Sequence, residues 1–263
     1  MRMNIATSSM ELWRIENGFA NDTHAHDEQV QVTIPIRGVC HFTQENRMYR
    51  LDAGNALVQH PREKHEFRLG ADAGVIIFQV NADALADAGA RPPDFPLRSY
   101  VEPDDIQSRF RQWTNDLLVR DPSDRLSVQE TESHVAAYLT RLLRGSPERD
   151  TGEPARRPAA ADPHLRRALD YIDVHYRSAL SVDELAALAL QSRFHFIRSF
   201  KAATGLSPYQ YVLHRRIEEA KRKLRATRMS VTDISAHLGF SSTSQFYRAF
   251  RNAVGVTPEQ YRK

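Results

Sequence analysis

Hydrophobic and polar positions change rhythm twice along the chain. In the first hundred residues, VQVTIPIRGVCHFT, ENRMYRLDAGNALVQHP and HEFRLGADAGVIIFQV are rich in β-branched and aromatic residues, with Gly, Asp and Asn between them at short intervals. Short strands with regular turn signals and no helical period predict a sandwich or small barrel. From Pro103 the period becomes helical: Ile106, Phe110, Trp113 and Leu117 recur at spacings of four, three and four, a single stripe. A second helix follows in SVQETESHVAAYLTRLLR, with Val128, Val135, Leu139 and Leu142 or Leu143 as its apolar face. The two predict an antiparallel hairpin over residues 101–144, joined by DPSDRL. Its stripe is equally suited to covering the β domain and to forming a subunit interface.

Residues 145–163, GSPERDTGEPARRPAAADP, hold four prolines, two glycines and no sizeable apolar side chain. Such a stretch has no core to bury and reads as a linker. Residues 164–263 then read as helices, and they repeat.

FIRSFKAATGLSPYQY (Phe196 to Tyr211) returns as FYRAFRNAVGVTPEQY (Phe246 to Tyr261), matching at Phe, Arg, Phe, Gly, Pro and Tyr with a constant shift of 50. Upstream, LSVDELAALALQSRFHF aligns with MSVTDISAHLGFSSTSQF at a shift of 49, because the second copy has one more residue in its turn. In each copy a serine (Ser181, Ser230) is placed to cap a short helix, with Asp183, Glu184 and Asp233 in the first turn. A tight turn follows, with Gly239 closing the short helix of the second copy. A second helix then runs to Gly205 or Gly255, and Ser-Pro or Thr-Pro opens the next one.

Short helix, tight turn, longer helix is the helix-turn-helix pattern. A helix from Pro208 to Arg225 separates the two units by about 27 Å at 1.5 Å per residue, near the ~34 Å between successive major grooves on one duplex face. The outward faces of the second helices predict base or phosphate contact by Arg193, Phe194, Ile197 and Arg198, then by Thr243, Ser244, Gln245, Tyr247 and Arg248. A duplicated helical bundle explains the shared Phe and Gly positions equally well. It explains less well why Arg198 and Arg248 both persist. Beyond Glu218 and Glu219, Lys221, Arg222, Lys223, Arg225 and Arg228 are left in excess and are suited to phosphates.

Charge supports this division. From His164 onward there are 17 Lys and Arg against 8 Asp and Glu, a net of +9, whereas the preceding residues hold 19 against 25, a net of −6. A basic end on a mildly acidic body suggests a polyanion partner for that end alone. The hydrophobic share of 41% is ordinary for a globular protein. VIIF is only strand-sized, so no membrane span is expected, and MRMNIATSSMELW lacks the apolar core of a secretory signal. One cysteine, Cys40, forms no internal disulfide and reads as a small buried hydrophobe, in keeping with a cytoplasmic location.

RSFKAATGLSPYQYVLHRRIEEAKRKL and LGFSSTSQFYRAFRNAVGVTPEQYR resemble the DNA-binding domain of AraC/XylS-type transcriptional regulators, over roughly Leu165 to Arg262. The resemblance implies a homodimer on double-stranded promoter DNA, with the hairpin making the dimer. It also implies recruitment or repositioning of RNA polymerase, most often as an activator. The first hundred residues resemble the cupin-like sensor domains of such regulators, with HAHDEQVQVTIPIRG and LDAGNALVQHPREKHEF in register with the two cupin motifs.

The fold class expected is therefore α+β in two domains, a cupin-like barrel or sandwich with a helical hairpin and an all-α double helix-turn-helix. His24 and His26 alternate onto one face of a strand, and His65 falls where the second motif supplies its histidine. These three would suit a divalent transition metal such as Zn, Fe, Ni or Cu, and with His60 they would line a small-molecule effector pocket. The first motif's glutamate is expected near positions 30 and 31, where Val30 and Gln31 stand; Glu28 is out of register, leaving His60 or His41 as substitutes. The expected function is an effector-responsive regulator without catalytic activity. The alternatives are a metal-dependent cupin dioxygenase or isomerase tethered to DNA, and a DNA-binding dimer without effector.

Overall fold

The computed structural model describes residues 2–89, 95–144 and 162–263. The chain folds as two compact units, divided between Asn115 and Asp116 and again between Thr131 and Glu132. The expected linker lies outside the described residues apart from Asp162 and Pro163. Both of these already belong to a helix, Asp162 as its N-cap and Pro163 at its first position.

The first unit is built from β1 (Arg2–Ala6), β2 (Met10–Glu16), β3 (Phe19–Ala20), β4 (Gln29–Arg37), β5 (Val39–Gln44), β6 (Arg47–Asp52), β7 (Asn55–Gln59), β8 (His65–Leu69), β9 (Gly74–Asn81), α1 (Ala82–Asp87) and β10 (Arg98–Tyr100). The strands pair antiparallel in two sheets, ordered β1-β2-β9-β4-β7-β10 and β3-β8-β5-β6. Between the sheets lie Ile15, Cys40, Phe42, Leu51, Leu57, Phe67, Val75 and Ile77. Cys40 is fully buried, as expected, and burial pushes its thiol up to about 12.

Strand β9 is buried on both faces, which is why its sequence is a continuous apolar run rather than an alternation. Val75 and Ile77 face the space between the sheets. The intervening Ile76, Phe78 and Val80 stand beside Ile34, Val32 and Val30 of β4 on the other face. That face is covered by α2 (Pro103–Val119), whose Phe110 and Trp113 meet the Phe78 ring edge-on at 6.3 and 5.9 Å. Tyr138 of α3 (Arg125–Leu143) completes the stack on Trp113. The hairpin stripe thus covers the β domain, the first of its two expected uses. Of the apolar positions expected on α3, Val135, Leu139 and Leu143 are buried, while Val128 and Leu142 stay partly exposed.

The second unit contains α4 (Pro163–His175), α5 (Val182–Leu188), α6 (Arg193–Thr204), α7 (Pro208–Ala226), α8 (Val231–His237), α9 (Thr243–Val254) and α10 (Pro258–Arg262). Its two halves repeat in detail. Phe196 and Phe200 lie 5.4 Å apart, Phe246 and Phe250 5.6 Å apart, and all four are fully buried. Tyr211 meets Phe200 and Tyr261 meets Phe250 edge-on, each at 5.5 Å. Ser207 and Thr257 close matching capping boxes with Gln210 and Gln260 ahead of Pro208 and Pro258. Gly205 and Gly255 adopt the left-handed conformation that ends α6 and α9, at φ of 78° and 85°. Helix α7 has 19 residues, so the spacer is about 28 Å long.

Candidate functional site

Recognition helices α6 and α9 are each opened by a serine that sequence reading had left unassigned. Ser192 accepts from His195 N and Ser242 from Gln245 N. This fixes which side chains leave the core. On α6, Phe196, Ile197 and Phe200 are buried, and His195, Arg198 and Lys201 are exposed. Ile197, expected in the groove, is 4% exposed and belongs to the core. The expected outward face was rotated by part of a turn, because Ile197 follows Phe196 into the interior. His195 takes the outward place and had been missed.

Arg193, also expected at the groove, is directed at Asp183, its Nη2 2.8 Å from Oδ2. Phe194 is half-buried. On α9, Ser244 and Arg248 are exposed, and Thr243, Gln245 and Tyr247 are half-buried. The Tyr247 hydroxyl donates to Glu259. Arg251 is exposed one turn beyond Arg248.

The basic run on α7 is more internally satisfied than its composition suggested. Lys221 pairs with Glu218 at 2.6 Å, Arg222 and Lys223 approach Glu219 at 2.7 and 3.8 Å, and Arg225 lies over the Tyr261 ring. Arg216 is a buried structural group: it donates to Tyr176 O at 2.7 Å and Ser178 O at 3.0 Å and faces Asp124 at 3.5 Å.

The first unit holds a second cluster. One nitrogen from each of His24, His26 and His65 falls within 4.8 Å of the others. His24 and His65 are brought together by a backbone bridge, His24 N donating to His65 O at 3.0 Å and His65 N to His24 O at 2.8 Å. In His65, Nδ1 lies 3.0 Å from Glu63 O; in His24, Nδ1 lies 2.9 Å from Asp22 O, closer than its 3.3 Å approach to Asn21 Nδ2. A carbonyl only accepts, so each Nδ1 carries the proton and each Nε2 keeps its lone pair. Metal-ligating histidines are oriented in this way. The His65 Nε2 is buried with no partner. Burial pushes His65 down to about 4 and, aided by His24, lowers His26, so both rings are neutral near neutrality.

Period-two geometry places a row of polar residues beside these rings. Glu11, Gln79, Gln31 and Gln59 stand directly opposite one another across β2, β9, β4 and β7. Gln31 Oε1 lies 3.2 Å from His26 Nε2 and accepts from Gln79 Nε2 at 2.9 Å; Gln31 Nε2 donates to Gln59 Oε1 and Thr33 Oγ1, both at 3.0 Å. Gln31 therefore presents a neutral carboxamide to His26 where a glutamate had been expected. Gln59 Nε2 and Gln44 Oε1 are buried without partners. His60 stands apart from the three converging rings, stacked on Phe95 at 6.3 Å, with Nδ1 buried and unpartnered. His41 and Glu28 are exposed, so neither substitutes for the missing ligand.

A cupin-like sheet domain followed by two tandem helix-turn-helix units defines a class of DNA-binding regulator. Residues 4–146 match the family model of the AraC-binding-like domain, and residues 185–263 match that of a helix-turn-helix domain. The chain belongs to the AraC family of transcriptional regulators. An uncharacterised HTH-type transcriptional regulator of Staphylococcus aureus (strain COL) is 25% identical over 86% of this chain and 30% of its own length. The probable transcriptional regulator LumQ of Photobacterium leiognathi is 34% identical over 28% of this chain and 30% of its own. The chain thus spans under a third of the length of these relatives.

Among solved structures, the DNA-binding domain of AdpA in complex with a target DNA is 31% identical, with a TM-score of 0.37, over 38% of this chain and 89% of that one. An AraC-type regulator from Chromobacterium violaceum is 32% identical, with a TM-score of 0.37, over 40% and 93%. With TM-scores below 0.5, these likenesses add nothing to the family assignment made by the two family models. No helix among the described residues is long and apolar enough to cross a membrane.

Proposed function

We propose that the chain is an effector-responsive, sequence-specific promoter regulator in which α6 and α9 read two segments of one duplex face. The observation that carries this reading is the pair Arg198 and Arg248, exposed at equivalent places on two recognition helices whose scaffold residues repeat. An exposed arginine on the outer face of a recognition helix suits bidentate contact to guanine, and Ser244 and His195 nearer the helix starts suit phosphate or base edges. Action as a homodimer that engages RNA polymerase and activates transcription belongs to the same reading. Arg198→Ala and Arg248→Ala are expected to cost about 1–3 kcal/mol of specific binding while the fold survives. Two variants that bind like the wild type would sink the groove assignment.

The effector site we place at His24, His26 and His65. The three imidazoles fit a divalent transition metal because two have their Nε2 lone pairs set by backbone carbonyls and one of these nitrogens is buried without a partner. Such an ion would be held by neutral nitrogens and would supply positive charge to the interior. The unpartnered Gln59 Nε2 and Gln44 Oε1 favour a second occupant, a polar organic effector carrying both an acceptor and a donor.

A further inference from the structure

Within the second unit, residues 116–131 reach the starts of α5 and α7 and the exposed face of α9. Gln129, 8% exposed, accepts from Val182 N at the start of α5 and donates to Asp183 Oδ2, both at 2.7 Å. Asp183 is the carboxylate that faces Arg193 of α6. Glu130 accepts from Tyr209 N at 3.0 Å at the start of α7, and Asp124 faces Arg216 further along that helix. Asp121 is held below the usual carboxylate range, against the effect of its burial, by Ser241 in the turn that leads into α9 and by Ser123. The Arg248 guanidinium donates to Val119 O. Between turn and helices lies a cleft lined by Asp121, Asp124, Tyr209, Arg216, Phe240 and Gln245.

These contacts are unequal in kind. At the first helix-turn-helix, Gln129 reaches the start of α5 and the Asp183 carboxylate behind Arg193, and Arg198 remains exposed. At the second, the turn lies beside Ser241, just ahead of α9, and takes the Arg248 guanidinium from the exposed face of that helix, with Gln245 of its first turn lining the same cleft. A carbonyl oxygen and an aspartate occupy the place where a duplex would offer acceptors. Asp116, Asp121, Asp124 and Glu130 outnumber Arg120 and Arg125 in this segment, whereas the helices around it are basic.

We propose that the α2–α3 turn is an autoinhibitory clamp, an acidic in-chain occupant of the second reading head that duplex DNA must displace. The chain then engages DNA by the first head and commits the second only after the turn withdraws from Ser241 and Arg248. This proposal rests on the groove assignment made above for α9.

The test uses the full chain and a duplex recovered from a random-sequence pool by the Asp121→Ala variant. Asp121→Ala is expected to bind that duplex about three- to tenfold more tightly than the wild type, the size of one or two lost hydrogen bonds. The gain should vanish in Asp121→Ala/Arg248→Ala, and the protected stretch should lengthen from one half-site to two. Asp121→Asn, which keeps an acceptor for Ser241, should fall between. In the wild type, amide exchange at residues 119–124 should quicken when the duplex is added.

Asp121 variants that bind like the wild type, with exchange unchanged by DNA, would overturn the clamp and leave the turn as a fixed part of the fold. If instead the Asp121 variants change nothing and Arg198→Ala and Arg248→Ala also bind this duplex normally, the groove assignment itself fails.

Discussion

Leu190 and Gly239 occupy the same place in the two copies, and both lie in the left-handed region, at φ of 53° and 77°. Each follows the short first helix of its unit. Glycine adopts this conformation without cost, whereas a leucine there is strained by about 1–2 kcal/mol. The glycine is obligatory for a second reason: a Cβ on it would stand 2.0 Å from Arg177 O.

Leu190→Gly should therefore stabilise the second unit. Leu190 is 73% exposed, so little packing is lost, and the relief of strain outweighs the added freedom of the unfolded chain. A gain of about 0.5–1 kcal/mol in chemical denaturation is expected. Gly239→Ala should act in the opposite sense, by more than about 2 kcal/mol. A neutral Leu190→Gly would show that the turn is not strained.

Arg216 should not tolerate its nearest chemical relative. Its guanidinium serves Tyr176 O, Ser178 O and Asp124 from one planar group, and a lysine ammonium cannot reach all three. Arg216→Lys is expected to cost about 2–4 kcal/mol, because it leaves buried acceptors unpaired. The readout is the midpoint of urea unfolding.

The three imidazoles make thermal stability a reporter of metal. Zn2+ or Ni2+ that binds only the folded chain stabilises it by about 2.7 kcal/mol at a hundredfold excess over Kd. A rise in melting temperature is expected for the wild type and none for His65→Ala or His24→Ala. Purified protein free of stoichiometric metal and unmoved by either ion would leave the cluster to an organic effector.

Glu130 gives a pH dependence whose sign is set by burial, which holds its carboxyl above the usual value of 4.5 despite hydrogen bonds from Tyr209 N and Ser207. Between that value and the raised one the folded chain holds the extra proton, so stability falls as pH rises through the window. Glu130→Gln keeps an acceptor for Tyr209 and removes the buried charge. The variant should gain on the wild type toward neutrality and match it below 4.5, as read from melting curves across the acid range.

The second unit was more legible in the sequence than the first. Repetition exposes scaffold positions, since a Phe, Gly, Pro or Tyr that returns at a fixed shift is held there by packing or backbone geometry. The helix faces were harder to read. Ile197 and Phe196 are adjacent and both buried, and nothing in the local pattern shows which neighbour of a core residue follows it inward. His24, His26 and His65 were found from their motif positions, but the row from Glu11 to Gln59 was not. Its members come from four strands, and only the pairing register aligns them. The contacts of residues 116–131 were likewise invisible, because Gln129 and Glu130 look like ordinary surface residues until their tertiary partners are known.

Strand β9 has a further consequence. Gln79 hydrogen-bonds among the interior carboxamides, and the next residue back, Phe78, carries the aromatic stack of Phe110 and Trp113. Two surfaces of different chemistry thus share a partition one peptide thick. Any movement of that backbone which reseats Gln79 also tilts Phe78 against α2. An occupant of the proposed effector site would therefore bear on the helix through the thickness of a single strand.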